Sequence, residues 1–438
     1  MLEERDFDVI VVGSGVAGAA AAFVAAKRGK SVLVVERGES AGAKNMTGGR
    51  IYAHALRTLL DDYADGEVDW DDIPFERKIT HERISLLDAA SNVTIDFTSE
   101  RLGRIGNDSY AVLRGTFDQW FAQLAEDAGA EYIYGIPVEE LLKDDSGAVR
   151  GVRAGDDEIT AHVTIDAEGV NSLLAERCLG VPRPKANEMA VGIKEVFELS
   201  PDRIEDRFLC PEGEGAAMLF VGDCTHGAVG GGFLYTNKES VSLGLVSTIS
   251  ELEKSDTTIY QALADFKEHP AVAPVIRGAR MVEHSGHMVS EGGFNMVPQC
   301  VFDGCLLAGD AAMLCMNLGY QVRGLDFAVA SGQLAAEAAC DAIDAQDTSS
   351  SRLASYRGTM ENSFVLQDLA TFKDWPRTME HWDGMFRDYP RLFGQILDGL
   401  FVVDGKPQKH LVKRIMPTVR EYGLLKLLKE MKGALKAL

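Results

Sequence analysis

The sequence predicts an α/β protein, α+β taken as a whole, in which a parallel-sheet domain is interrupted by an inserted antiparallel sheet and followed by a helical C-terminal region. Three observations predict it. Phe7 to Val12 and Ser31 to Glu36 read as short buried strands flanking a helix of small residues, Ala17 to Arg28, which together make a βαβ unit. Alternating segments such as Arg83-Ile84-Ser85-Leu86 and Ser240 to Leu245 read as antiparallel strands with one face on a core. From about Ser349 the apolar period becomes helical and rich in aromatics, among them Trp375, Trp382, Phe386, Tyr389, Phe393 and Phe401.

Further along the chain, a helix is expected over Asp118 to Ala128 and a strand over Val163 to Asp166 that ends at Glu168-Gly169. Another strand is expected at Gly304 to Ala308, then a long Ala-rich helix from Leu325 to Ile343, with Asp347 to Ser351 as a linker. The parallel domain is thus assigned to residues 1–78, 102–180 and 287–347, the inserted domain to 79–101 and 181–286, and the helical region to 348–438. A chain of 438 residues, 46% hydrophobic, can bury cores for two or three such units.

The 67 Asp and Glu against 44 Lys and Arg give a net charge of −23, which repels phosphate backbones and argues against a dedicated nucleic-acid binder. Solubility or adaptation to salt gives the same balance. The cysteines (Cys178, Cys210, Cys224, Cys300, Cys305, Cys315, Cys340) lack the spacing of a zinc or iron–sulfur site, so no metal site is expected. They read as reduced core thiols, with a Cys300–Cys305 redox pair as the alternative. The early apolar stretch is broken by Gly13, Gly15 and Gly18 and has an acidic flank, unlike a signal peptide, and no run of about 18 apolar residues follows. A cytoplasmic location is expected.

The motif with the clearest chemistry is Gly13-Ser14-Gly15-Val16-Ala17-Gly18, set between the first strand and the helix, with Glu36 closing the next strand. Gly13 permits a tight turn, Gly15 lets the backbone approach a pyrophosphate, and Gly18 allows close helix–strand packing at a helix N-terminus that favours anions. Glu36, followed by Arg37, can accept from ribose hydroxyls. This is a Rossmann-type site, and by itself it does not choose NAD over FAD.

The far end of the chain makes the choice. Leu306 to Ala312 reads as a strand entering a Gly309-Asp310 turn and a helix start, a second anchor that an extended FAD requires; an Asp capping an ordinary helix is the plainer alternative. Asn317 to Gly324, including Gly319, Gln321, Val322 and Arg323, is a glycine-bounded turn before the Ala-rich helix, whose N-terminus could stabilise negative charge on a reduced isoalloxazine. Arg114 precedes a helix and could stack on or pair with the cofactor, or make a surface ion pair.

In this order the motifs resemble the glutathione-reductase-type flavoproteins that include geranylgeranyl reductases and electron-transfer-flavoprotein:quinone oxidoreductases. The blocks Lys44 to Tyr52, Ala190 to Val196, Gly230 to Lys238, Glu291-Gly292-Gly293 and Asn317 to Asp326 look like the FixC-type dehydrogenases. The resemblance implies FAD contacts at Gly13, Gly15, Gly18, Glu36, Arg114, Gly309 and Asp310. It also sets Lys44, Asn45, Thr47, Gly48, Gly49 and Arg50, with the Asn317 turn, near the isoalloxazine. The family's Ala-Asp-Gly turn reads Ala167-Glu168-Gly169 here, so Glu168 either still reaches the cofactor with Gly169 or only closes a turn. For mechanism, the resemblance implies an FAD-dependent electron-transferring oxidoreductase whose chemistry resides in the flavin. Electrons would come from a two-subunit electron-transfer flavoprotein and leave to a quinone or a small ferredoxin-like protein. A geranylgeranyl-reductase-like saturase and a flavin-bearing scaffold subunit are the alternatives.

Residues 406–438 hold nine Lys and Arg against Glu421 and Glu430, a charge of +7 against −30 for the rest. Leu424, Leu428, Met431, Leu435 and Leu438 recur at helical spacing. Such a basic amphipathic helix fits peripheral contact with a membrane's cytoplasmic face or an acidic partner, or else a helix packed on its own domain.

Overall fold

The computed structural model describes residues 3–45, 49–382 and 384–437. Met46, Thr47, Gly48 and Leu438 lie outside the described residues, and with them two of the residues expected near the cofactor and the last of the C-terminal stripe.

The first sheet is built on the βαβ unit. Phe7–Val12 pairs in parallel with Val32–Glu36 on one side and with Asp157–Asp166 on the other. Glu131–Tyr134 extends the sheet beyond Val32–Glu36, and Cys305–Leu307 extends it beyond Asp157–Asp166. The apolar strands have no alternation because both faces are covered. The helix Val16–Lys27 is wedged between this sheet and the helix Leu325–Asp344. Small residues allow that wedge: a Cβ on Gly18 would lie 1.9 Å from the Gly13 carbonyl oxygen, and one on Gly332 would lie 2.2 Å from that of Ala17.

The second sheet has nine strands, in the order Arg280–Ser290, Met189–Glu198, Ser240–Thr248, Gly230–Thr236, Glu214–Gly222, Lys78–Asp88, Ser109–Val112 and Gly49–Tyr52, with Ser91–Thr98 paired to Lys78–Asp88. It is mixed rather than purely antiparallel, because Glu214–Gly222 runs parallel to Lys78–Asp88. Gly49–Tyr52 and Ser109–Val112 belong to it, so it draws strands from four separate stretches of chain.

Three local expectations are corrected. The helix expected from Asp118 begins at Arg114, where half-buried Arg114 pairs with buried Asp118 across its first turn. Gly309–Ala312 is a 3-10 turn closed by Met313 at φ +56°, not a helix start; the helix begins at Leu325. Asp347 to Ser351 is no free linker: Asp347 caps Ser349 N–H, Ser350 N–H donates to Asp303, and the helix Ser350–Asn362 starts at once.

Candidate functional site

Where the two sheets meet, a cavity of about 520 Å³ runs from the first glycine turn to the helical region. Its near end is made by the turn after Phe7–Val12. Gly13 adopts φ +94°, and a Cβ there would lie 2.6 Å from the Ala167 carbonyl oxygen, so only glycine fits. Gly15 differs: a Cβ would meet nothing closer than 3.7 Å, from Arg114 and Asn45, and would point into the cavity. Val16 and Ala17 line it at the start of the helix. Glu36 is buried, its Oε2 accepting from the Ser14 N–H (2.8 Å) and hydroxyl (3.1 Å) and its Oε1 from the Gly38 N–H (2.6 Å). Ser14 therefore orients Glu36 rather than lining the cavity, while Glu36 and exposed Arg37 do line it.

Arg114 sits against this turn and forks onto Asp118 at 2.7 Å through both Nε and Nη2, while Asn45 donates to the same carboxylate at 2.5 Å. This is an interior pair, not a surface one. Burial alone would lower the guanidinium, but Asp118 and the more distant Asp310 hold it above its ordinary value. Asp310 reaches the cavity from the opposite turn, its carboxyl raised by burial with Arg114 opposing. Gly309 does not line the cavity; at φ +62° it lets the turn approach Ala17, whose Cβ would lie 2.7 Å from a Cβ there.

Further in, Lys44, Asn45, Gly49, Arg50, Gly319, Val322, Arg323 and Gly324 line the cavity together with the N-terminus of the Leu325–Asp344 helix. Gln321 closes its own turn through the Leu318 N–H. Arg323 is committed to Asp326 (Nε to Oδ2, 2.7 Å) and to Asp368, with its guanidinium over the Phe327 ring. Glu168 and Gly169 line the cavity, and Glu168 Oε1 also caps the helix Leu173–Leu179 by accepting from the Leu174 N–H at 2.6 Å.

The rest of the lining was not anticipated as site. Gly230-Gly231-Gly232 and Phe233 come from the second sheet, His287 and Glu291 from the end of Arg280–Ser290, and Trp375, Met379, Trp382 and Phe386 from the helical region. Gly230 to Phe233 and Glu291 fall in blocks that carried the family resemblance, and the aromatic spacing hinted at the tryptophans and Phe386; His287 and Met379 gave no signal. Cys300 and Cys305, like the other cysteines, are free thiols.

The donor set fits an FAD. Two positive-φ glycine turns face one another across a groove with a helix N-terminus on it, a basic and carboxylate-bearing polar end, and an apolar far end of a size to take a ring system. Residues 8–182 match the profile of FAD dependent oxidoreductases, and the chain is an FAD-dependent oxidoreductase. Residues 189–289 match the ETF-QO, ubiquinone-binding profile and 375–438 the ETF-QO/FixC family C-terminal domain. Along 99% of each chain it is 46% identical to the probable electron transfer flavoprotein-quinone oxidoreductase YdiS and 44% identical to protein FixC, both of Escherichia coli strain K12. The protein belongs to the ETF-QO/FixC family. In fold it is similar to a geranylgeranyl bacteriochlorophyll reductase-like protein from Thermoplasma acidophilum (TM-score 0.71, 20% identity, 98% and 99% of the two chains covered) and to a mutant of halogenase PltM in complex with FAD (TM-score 0.65, 17% identity, 90% and 80%).

Proposed function

We propose that the protein accepts electrons from a two-subunit electron-transfer flavoprotein and passes them to a quinone, with a small ferredoxin-like protein as a further partner. The observation that carries this is the continuity of the cavity, which joins a nucleotide-binding end to an aromatic end under the segment matching a ubiquinone-binding profile. Gly13, Gly15 and the helix at Val16 would take the pyrophosphate, Glu36 the adenosine ribose, and Arg114 and Asp310 the phosphate–ribityl stretch. Lys44, Arg50 and the Asn317–Gly324 turn would border the ring system, where the Leu325 helix end favours negative charge. FAD, when bound, supplies one- and two-electron chemistry; the chain's part is to hold it, exclude water and set its electrostatics. The Trp375, Trp382 and Phe386 wall would take an apolar acceptor.

No helix among the described residues is long and apolar enough to cross a membrane. Contact with a lipid surface would fall to the C-terminal helices, where Phe401, Val403, Val412, Leu425 and Leu435 stand exposed among lysines. The decisive experiment is anaerobic reoxidation of the photoreduced, FAD-loaded protein by a short-chain quinone, then turnover with the reduced electron-transfer flavoprotein. Fast quinone-dependent reoxidation is expected. None with quinone, alongside saturation of an isoprenoid double bond, would replace this reading with the saturase.

A further inference from the structure

Glu291 follows directly on the strand Arg280–Ser290, and its carboxyl stands at a boundary. It lines the main cavity and also a second one of about 280 Å³, on whose walls lie Glu188, Ser250, Glu251 and His381. Its backbone is pinned by donating to the Glu188 carbonyl at 2.8 Å, and its two oxygens accept from Asn317 Nδ2 at 3.4 and 3.2 Å. Among the described residues no cation forms an ion pair with it. The acidic and basic side chains lining the second cavity with it are Glu188, Glu251, Arg377, Glu380 and His381, and those lining the main cavity are Glu36, Arg37, Lys44, Arg50, Arg114, Glu168, His287, Asp310 and Arg323. Burial pushes the carboxyl up to about 7, with only the Asn317 bond opposing, so near neutral pH it can both give and regain a proton.

We propose that Glu291 carries protons from water in the second cavity to the acceptor in the main cavity, an inference that rests on the quinone reading above. Electrons from a protein carrier arrive without protons, whereas reducing a quinone to a quinol takes two electrons and two protons. In each transfer the Glu291 O–H bond breaks, the proton passes to a reduced acceptor oxygen, and the carboxylate left behind takes a proton from water on its other side. The carrier is oxidised, the quinone is reduced, and Glu291 ends as it began.

The test uses the full-length, FAD-loaded protein and E291Q. Infrared difference spectra between wild type and E291Q should show a protonated-carboxyl band that is lost as pH rises through about 7; its absence would overturn the proposal. In anaerobic single turnover with a short-chain quinone, E291Q should form quinol roughly 100-fold more slowly and lose the solvent isotope effect, with its FAD spectrum unchanged. A wild-type rate and pH profile in E291Q would overturn it. Should E291Q fail to hold FAD, E291D must keep both the band and a pH-dependent rate. Ser250→Phe, which plugs only the second cavity, should slow quinol formation while leaving the band; an unslowed rate would refute the water route. The band together with no quinone reduction by the wild type would overturn the quinone reading and the acceptor named here, while the titration of the carboxyl stood.

Discussion

Two helices of similar length show how differently this chain uses apolar residues. In Val16–Lys27 every residue from Val16 to Ala26 is buried, yet most are Ala or Gly, side chains that bring little area of their own. In Leu424–Ala437, among the described side chains, Leu425 is 83% and Leu435 74% exposed, Leu424 and Leu428 are also exposed, and the buried ones are the small Ala434 and Ala437. That helix is held by polar ties: Tyr389 and Tyr422 donate to Glu430 at 2.8 and 2.7 Å, and Lys426 pairs with Asp388. The lesson is that the first helix is shaped for backbone approach to the sheet and to the cavity, while the second keeps its leucines for something beyond its own core.

The largest effect expected tests the first half of that contrast. Gly15→Val sends its side chain into the cavity, so the purified protein should fold but carry no FAD, read as loss of the flavin absorbance with far-ultraviolet dichroism intact. Gly18→Val should instead fail to fold, since its Cβ would overlap the Gly13 carbonyl oxygen. Stoichiometric FAD in Gly15→Val would remove the assignment of the Gly13 to Gly18 turn.

The second half is tested by Leu425→Ser with Leu428→Ser and Leu435→Ser. Each leucine inserted into a lipid interface is worth roughly 1.5–3 kcal/mol, and each nearby lysine about 1 kcal/mol on an anionic surface, the latter falling with salt. The triple variant should lose most co-sedimentation with anionic liposomes while its melting temperature and FAD content stay put, because those side chains touch no core. Unchanged sedimentation would return the helix to a purely structural role.

The smallest effect sharpens the comparison from within the interior. Lys194 has no exposed surface, and its Nζ lies 3.8 Å from Glu283 Oε1 and makes no hydrogen bond among the described residues. Burial lowers its amine to about 7, with Glu283 opposing. Between about 7 and the ordinary amine range the unfolded chain holds a proton that the folded chain lacks, so stability rises with pH across that window and the full penalty is present below it. Lys194→Met should therefore gain roughly 1–3 kcal/mol over wild type at pH 7 relative to pH 10 in denaturant titrations. A pH-independent difference would show that the amine stays charged and solvated.

Much of the cofactor end was legible because it is local. Gly13, Gly15 and Gly18 lie within six residues, their spacing is dictated by one turn and one helix start, and Glu36 follows at the end of the next strand. The Asn317–Gly324 turn and the helix after it are local in the same way. Where an expectation slipped, a contact from elsewhere in the chain or an unforeseen turn intervened. Arg114 could be placed before a helix but not inside it, because the buried Asp118 that draws it into the first turn shows no sign of burial in its neighbours' polarity. Glu168 capping a helix six residues on, and the close approach of Gly309 to Ala17, were equally hidden.

By itself the sequence determined the βαβ start, the two glycine turns, the family and hence the flavin, all of which rest on residues a few positions apart whose backbone demands leave little choice. Only the tertiary structure decided the rest: a nine-stranded sheet gathered from four stretches of chain, an aromatic wall brought from residues beyond 370 to face it, the outward leucines of the last helix, and Glu291 at the meeting of two cavities. The physical reason is that strand period and charge pattern report which face of an element is apolar, whereas what lies opposite that face is set by closing long loops, and the free energy of those contacts has no local signature.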